Sequence, residues 1–87
     1  MEHPTLIRTD PYVFHNDAHW YVAKDKDLKH SPIYLVSQSL SSEDRVYHRG
    51  VFVPGNAIVH NVTFKGSSVY IEYSLHESTH VLCALVR

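Results

Sequence analysis

The sequence predicts an all-β, mainly antiparallel protein: a small sandwich or partly open barrel of about seven short strands, in a single domain over 1–87. Three observations carry this prediction. Apolar and polar residues alternate with period 2 through the second half of the chain, the pattern of strands with one buried face. Turn-forming clusters recur at roughly eight- to twelve-residue intervals. A single open sheet of this size would leave a face and two edges in water, so closure or stacking of sheets is expected.

The C-terminal half is the most legible. Val69, Ile71, Tyr73 and Leu75 alternate with Tyr70, Glu72 and Ser74. Upstream, Ile58, His60, Val62 and Phe64 fall on one face, read as buried, and Ala57, Val59, Asn61, Thr63 and Lys65 on the other. Gly66-Ser67-Ser68 between the two runs is a hairpin connection, with glycine available for positive φ. A further strand over 45–53 ends at Pro54-Gly55-Asn56, where proline pre-sets φ and glycine supplies the positive φ of a type II turn. Together these predict a C-terminal meander over 45–87. Gly50 inside the 45–53 run predicts a bulge or a close backbone approach.

The last segment is apolar on both parities: Val81, Cys83 and Leu85 against Leu82, Ala84 and Val86. That suits a strand covered on both faces. A short helix over 76–87 is the alternative, because Ser74 and Glu77 have capping-box spacing, but valine content favours the strand. In the N-terminal half, strands over 12–15 and 18–22 flank Asn16-Asp17, a hairpin turn. Residues 24–31 read as a charged loop, 33–38 as a strand, and 41–44 as a polar loop or one helical turn.

Composition narrows the function classes. At 44% hydrophobic and 20% charged, the chain is globular and not disordered. Its formal net charge of −1 lacks the basic excess of non-specific nucleic-acid binding. No apolar run approaches the ~18 residues of a membrane helix, and residues 1–10 do not read as a signal peptide. A single cysteine, Cys83, excludes an internal disulfide and places the chain in a reducing cytoplasm. Cys83 itself reads as a small core hydrophobe. Eight histidines are the unusual feature, since they titrate near neutrality.

His76-Glu77-Ser78-Thr79-His80 matches the H-E-x-x-H pattern of zinc peptidases. That chemistry needs a helix, which places both imidazoles on one face toward zinc and leaves the glutamate as general base. The strand leading into the motif, and the absence of His, Asp or Glu after His80, make it a chance match. His15 and His19 share the same spacing. If each pair flanks a three-residue hairpin loop, its histidines become cross-strand neighbours about 5 Å apart, able to chelate zinc with Asp17 or Glu77. Zinc is thus the one cofactor to consider, and none is expected. His60, on the face read as buried, is expected to be a neutral core histidine.

Aromatics are the other notable group. Trp20, Tyr21, Tyr34, Tyr47 and Tyr70, with Arg49, are the candidate binding residues, since Tyr, Trp and Arg anchor protein interfaces. Arg45, Arg49 and Lys65 could form a modest basic strip beside Tyr47 and Tyr70, the arrangement an OB- or SH3-like nucleic-acid-binding barrel would use. Lys24, Lys26 and Lys29 are interleaved with Asp25 and Asp27, which cancels the field there. The expectation is a small non-enzymatic adaptor or inhibitor that binds another protein, or a second copy of itself. Nucleic acid and paired-histidine metal binding are the rival readings.

Overall fold

Short alternating segments separated by tight turns can satisfy their backbone groups only by pairing with neighbours, and they do so here in two antiparallel sheets. The computed structural model describes residues 12–86. Seven strands run in chain order: β1 (Tyr12–His15), β2 (Ala18–Lys24), β3 (Ile33–Ser39), β4 (Arg45–Val53), β5 (Ile58–Lys65), β6 (Ser68–Leu75) and β7 (Ser78–Leu85). The first sheet has the order β1-β2-β3-β4 and the second β5-β6-β7. No helix forms among the described residues, so none is long and apolar enough to cross a membrane. The final segment takes the strand form, and residues 40–44 are an irregular loop.

Three hairpins close with two-residue turns. Asn16 and Asp17 both have positive φ, as a type I′ turn requires, and their short polar side chains tolerate it. Gly66 opens the β5–β6 turn at φ 60°, and Ser68 is already the first residue of β6. The β6–β7 turn places His76 at φ 53° and Glu77 at φ 67°, an unfavourable region for a residue such as glutamate.

The three-stranded meander begins at Ile58 and not at Arg45. β4 pairs with β3, and the chain then crosses to the other sheet through residues 54–57. Ala57 N–H donates to the Pro54 carbonyl at 3.0 Å across this crossing. Gly55 does not need positive φ there; the positive-φ residues of the described chain lie elsewhere. Its requirement is space, because a Cβ would stand 2.5 Å from the Ser31 carbonyl oxygen.

The core lies between the sheets. Trp20, Leu35, Val51 and Val53 meet Val62, Val69 and Ile71 across the gap. β1 and β5 draw together along one side of the sandwich, where the His15 and Phe64 rings stack at 4.0 Å.

Two bulges decide which side chains reach this core. In β4 the register jumps, so that Tyr34 faces Phe52 while Leu35 faces His48, and the bulge falls at Gly50 as the sequence predicts. In β5 the register shifts between Val59 and Asn61. The β4 irregularity leaves residues 49–51 without a partner on β3 and the β5 bulge leaves His60 without one on β6; an odd number in each case flips the inward parity. Ala57 and Val59 therefore point inward before the bulge, and Val62 and Phe64 after it. Ile58 and His60 are exposed, contrary to the uninterrupted alternation. The expected buried His60 is instead on the surface, where its Nε2 lies 2.6 Å from Ser74 Oγ. β7 is likewise covered on one face only: Leu82, Ala84 and Val86 pack inward, whereas Val81, Cys83 and Leu85 are exposed.

This parity is testable. Val62→Ala is expected to cost about 1–3 kcal/mol of stability, and Ile58→Ala to stay within ~0.5 kcal/mol of wild type in urea unfolding. Equal losses would mean that β5 has no bulge. Glu77→Gly is expected to raise stability by roughly 1 kcal/mol, because the turn needs positive φ there; a lower urea midpoint would contradict the turn geometry.

Candidate functional site

Strand alternation sends every second residue of the first sheet to its outer face, and these residues are rich in aromatics. Cross-strand pairing aligns Tyr12 with Tyr21, Phe14 with His19, Tyr21 with Val36, Val36 with Tyr47, and Tyr34 with Phe52. One continuous surface results, from Phe14 at one edge strand to Phe52 at the other. Its rings touch along the way. Tyr12 meets Phe14 edge-on at 5.7 Å and His19 at 4.7 Å, and His19 lies 5.1 Å from Tyr21. At the other end Tyr34 packs edge-on against Tyr47 at 6.3 Å and lies 6.2 Å from Phe52.

Val36 and Tyr34 form the buried floor of this surface, at 0% and 8% exposure. Phe14 at 62%, Phe52 at 48% and Tyr12 at 42% present their rings to solvent. Arg49 lies over both Tyr34 and Tyr47, with its guanidinium carbon 4.9 and 5.3 Å from the ring centroids. The same guanidinium donates to Asp25 Oδ2 at 2.9 Å. Arg49 is thus held by a carboxylate and two ring faces, a preorganised cation and not a free one. The Asp27 N–H and Arg49 together hold the Asp25 carboxyl below its ordinary value. Burial pushes the Tyr21 phenol up, partly offset by the nearby Arg45.

The six candidate binding residues divide three ways. Tyr21, Tyr34, Tyr47 and Arg49 converge on this outer face. Tyr70 lies on the outer face of the second sheet, as the cross-strand partner of Cys83, with the Lys65 ammonium 5.8 Å from its ring. The strip expected from Arg45, Arg49 and Lys65 is therefore split between opposite sides of the sandwich. Cys83 is exposed and not a core residue. Tyr12, Phe14 and Phe52 also belong to the surface, beyond the six residues to which the sequence points. Period-2 counting from Tyr21 across the Asn16-Asp17 turn would have found the first two; Phe52 lies beyond the Gly50 bulge.

Trp20 points the other way. Its indole, 6% exposed, donates from Nε1 to the His15 carbonyl at 2.8 Å, meets Phe64 edge-on at 4.9 Å, and stacks on His48 at 5.0 Å. Together with Ser37 and Val46, these residues line a cavity of about 410 Å³ at one end of the sandwich. Ser37 Oγ lies 3.0 Å from His48 Nε2. Burial lowers the His48 pKa below its ordinary value, which keeps the ring neutral at pH 7 and able to accept from the serine.

The histidine pairs do not form the chelates that their spacing suggested. Two-residue turns replace the three-residue loops. His15 pairs with Ala18 and faces inward, whereas His19 pairs with Phe14 on the outer face. His76 sits in the turn itself, and His80 pairs with Tyr73 and stacks on its ring at 5.3 Å. Among the described residues no three metal-ligating side chains cluster. Comparison with protein-family models, with curated proteins and with solved structures gave no match to this chain.

His48 replaces His60 as the histidine whose burial couples folding to pH. Its folded pKa lies below its unfolded value, so the unfolded chain binds the proton first on acidification. Its contribution to stability is full above ~6.5 and is lost as pH falls below that value. Urea midpoints at about pH 7.5 and about pH 5.5 are expected to drop in wild type and to drop less in His48→Gln. An equal drop in the two proteins would assign the acid loss to other groups.

Proposed function

We propose that this protein is a small non-enzymatic binding module, an adaptor or inhibitor, that engages another protein through the outer face of its four-stranded sheet. The observation that carries this reading is the aromatic surface itself: Tyr12, Phe14, Tyr21, Tyr47 and Phe52 on one solvent-facing sheet, around a fixed Arg49. Aromatic rings and arginine anchor protein interfaces because they remove a large area from water with few rotors to freeze. Soluble domains rarely leave such a contiguous apolar patch without a partner. The rigid sheet beneath it, with Val36 and Tyr34 buried, keeps the ordering cost of binding small.

Stacking of nucleobases is the competing use of aromatic rings on a sheet. It needs unneutralised cations beside the rings to follow phosphates. Arg49 is already paired with Asp25 and Lys65 is on the other sheet, which leaves Arg45, beside Tyr21, with too little charge alone to follow a phosphate backbone. These placements favour a protein partner. A second copy of the chain is one partner of this kind.

The test is capture on immobilised protein followed by intact-complex mass measurement. Phe14→Ala and Phe52→Ala together are expected to reduce the captured polypeptide by about tenfold or more, as loss of interface anchors does. Tyr70→Ala, on the other sheet, is expected to leave capture unchanged. Nuclease-sensitive capture, or loss that follows Tyr70 and not the Phe pair, would contradict the reading.

A further inference from the structure

We propose that the pocket between the 24–31 loop and the Pro54–Asn56 turn is an anion site that takes a phosphate group. The proposal stands apart from the aromatic face and does not require it. The interleaving of Lys24, Lys26 and Lys29 with Asp25 and Asp27 suggests a cancelled field, but in the fold one of the two acids, Asp25, is paired with a cation from outside the segment. Lys24, Lys26, Lys29 and His30 line a cavity of about 610 Å³, and Asp25 is the one acid lining it among the described residues. The Asp25 carboxylate is already engaged: Oδ2 holds Arg49 at 2.9 Å, and Oδ1 accepts the Asp27 N–H at 3.0 Å. Three lysines and one histidine thus line the volume against a single acid that Arg49 already pairs.

The pocket is built and not a chance gap between mobile lysines. Ser31, 6% exposed, accepts the Asp25 N–H at 2.9 Å and donates to the Pro32 carbonyl at 2.7 Å, which ties the two ends of the loop together. The Leu28 N–H closes the turn on the Asp25 carbonyl at 3.0 Å. Gly55 lies directly against Ser31, and its own Cβ position would stand 3.8 Å from Lys24 Cε, so the turn forms one wall and the lysine stem runs along it.

Lysine binds phosphate as a compact point charge from several directions, without the bidentate geometry that selects carboxylates for arginine. A dianion draws on more than one of the three lining lysines, whereas acetate has a single charge to offer. Phosphate is therefore preferred over a monocarboxylate, and binding weakens with salt.

The experiment is an amide NMR titration of the whole protein with inorganic phosphate at low ionic strength. Saturable shifts confined to residues 24–31 and 55–56 are expected. Lys26→Gln with Lys29→Gln is expected to weaken binding roughly fivefold or more, because two of three cations are lost. Lys65→Gln and Phe52→Ala are expected to leave the midpoint unchanged, which separates this site from a diffuse field and from the aromatic face. A phosphoserine peptide run beside free phosphate identifies the carrier: tighter peptide binding assigns the phosphate to a side chain of a partner, and equal binding to a small molecule. Either order supports the site. Non-saturating shifts, equal response to acetate, or an equal loss in Lys65→Gln would overturn it.

Discussion

The fold depends on one indole. Trp20 fills the gap between the sheets and touches three other strands: β1 through the His15 carbonyl, β4 through the His48 ring and β5 through Phe64. An 87-residue chain buries a modest fraction of its surface, so a side chain of this area is a large part of its core. The buried indole N–H also needs an acceptor, and the His15 carbonyl at the end of β1 supplies it. The hydrogen bond thereby fixes the four-residue β1 against the rest of the sheet, although so short a strand has few ladder bonds of its own.

With Trp20 inside, strand alternation sends its neighbours outward, and the aromatic surface follows from that. His19 and Tyr21 flank Trp20 on β2 and join the outer face. The bulges then adjust the longer strands to the same division. At Gly50 the bulge lets His48 line the end of the interior and Val51 and Val53 fill its centre, while Phe52 reaches the outside. In β5 the bulge removes Ile58 and His60 from the core and seats Val62 and Phe64 there. Without these shifts each strand would put half its length on the wrong face.

Much of this was legible in the sequence. The seven strands, the Asn16-Asp17 turn, the bulge at Gly50 and the inward set Val69, Ile71 and Tyr73 all follow from local pattern. The partition into sheets does not, because β4 pairs with β3 and not with β5, and the crossing that follows packs Gly55 against Ser31, a contact between distant segments that no local pattern announces. The β5 bulge carries no glycine to announce it. The exposure of Cys83 was hidden by apolar residues on both faces of β7, of which one face alone finds cover. For the candidate surface, residue type was informative and side was not: Trp20, Tyr21 and Tyr70 look alike in the sequence and end in three different places. The charge balance of the lysine loop also depends on a residue outside that segment, since Arg49 pairs with Asp25.

The interior and the aromatic outer face are thus consequences of one placement, and the protein carries its own reporter of it. Trp20 is the single tryptophan of the chain, so native fluorescence and acrylamide quenching read its surroundings without labelling. A core indole emits to the blue of free tryptophan, resists quenching, and shifts to the red together with the loss of β-sheet signal on urea unfolding. Water-like emission and free quenching in the native protein would place Trp20 on the surface and contradict the division of inner and outer faces on which the proposed binding surface rests.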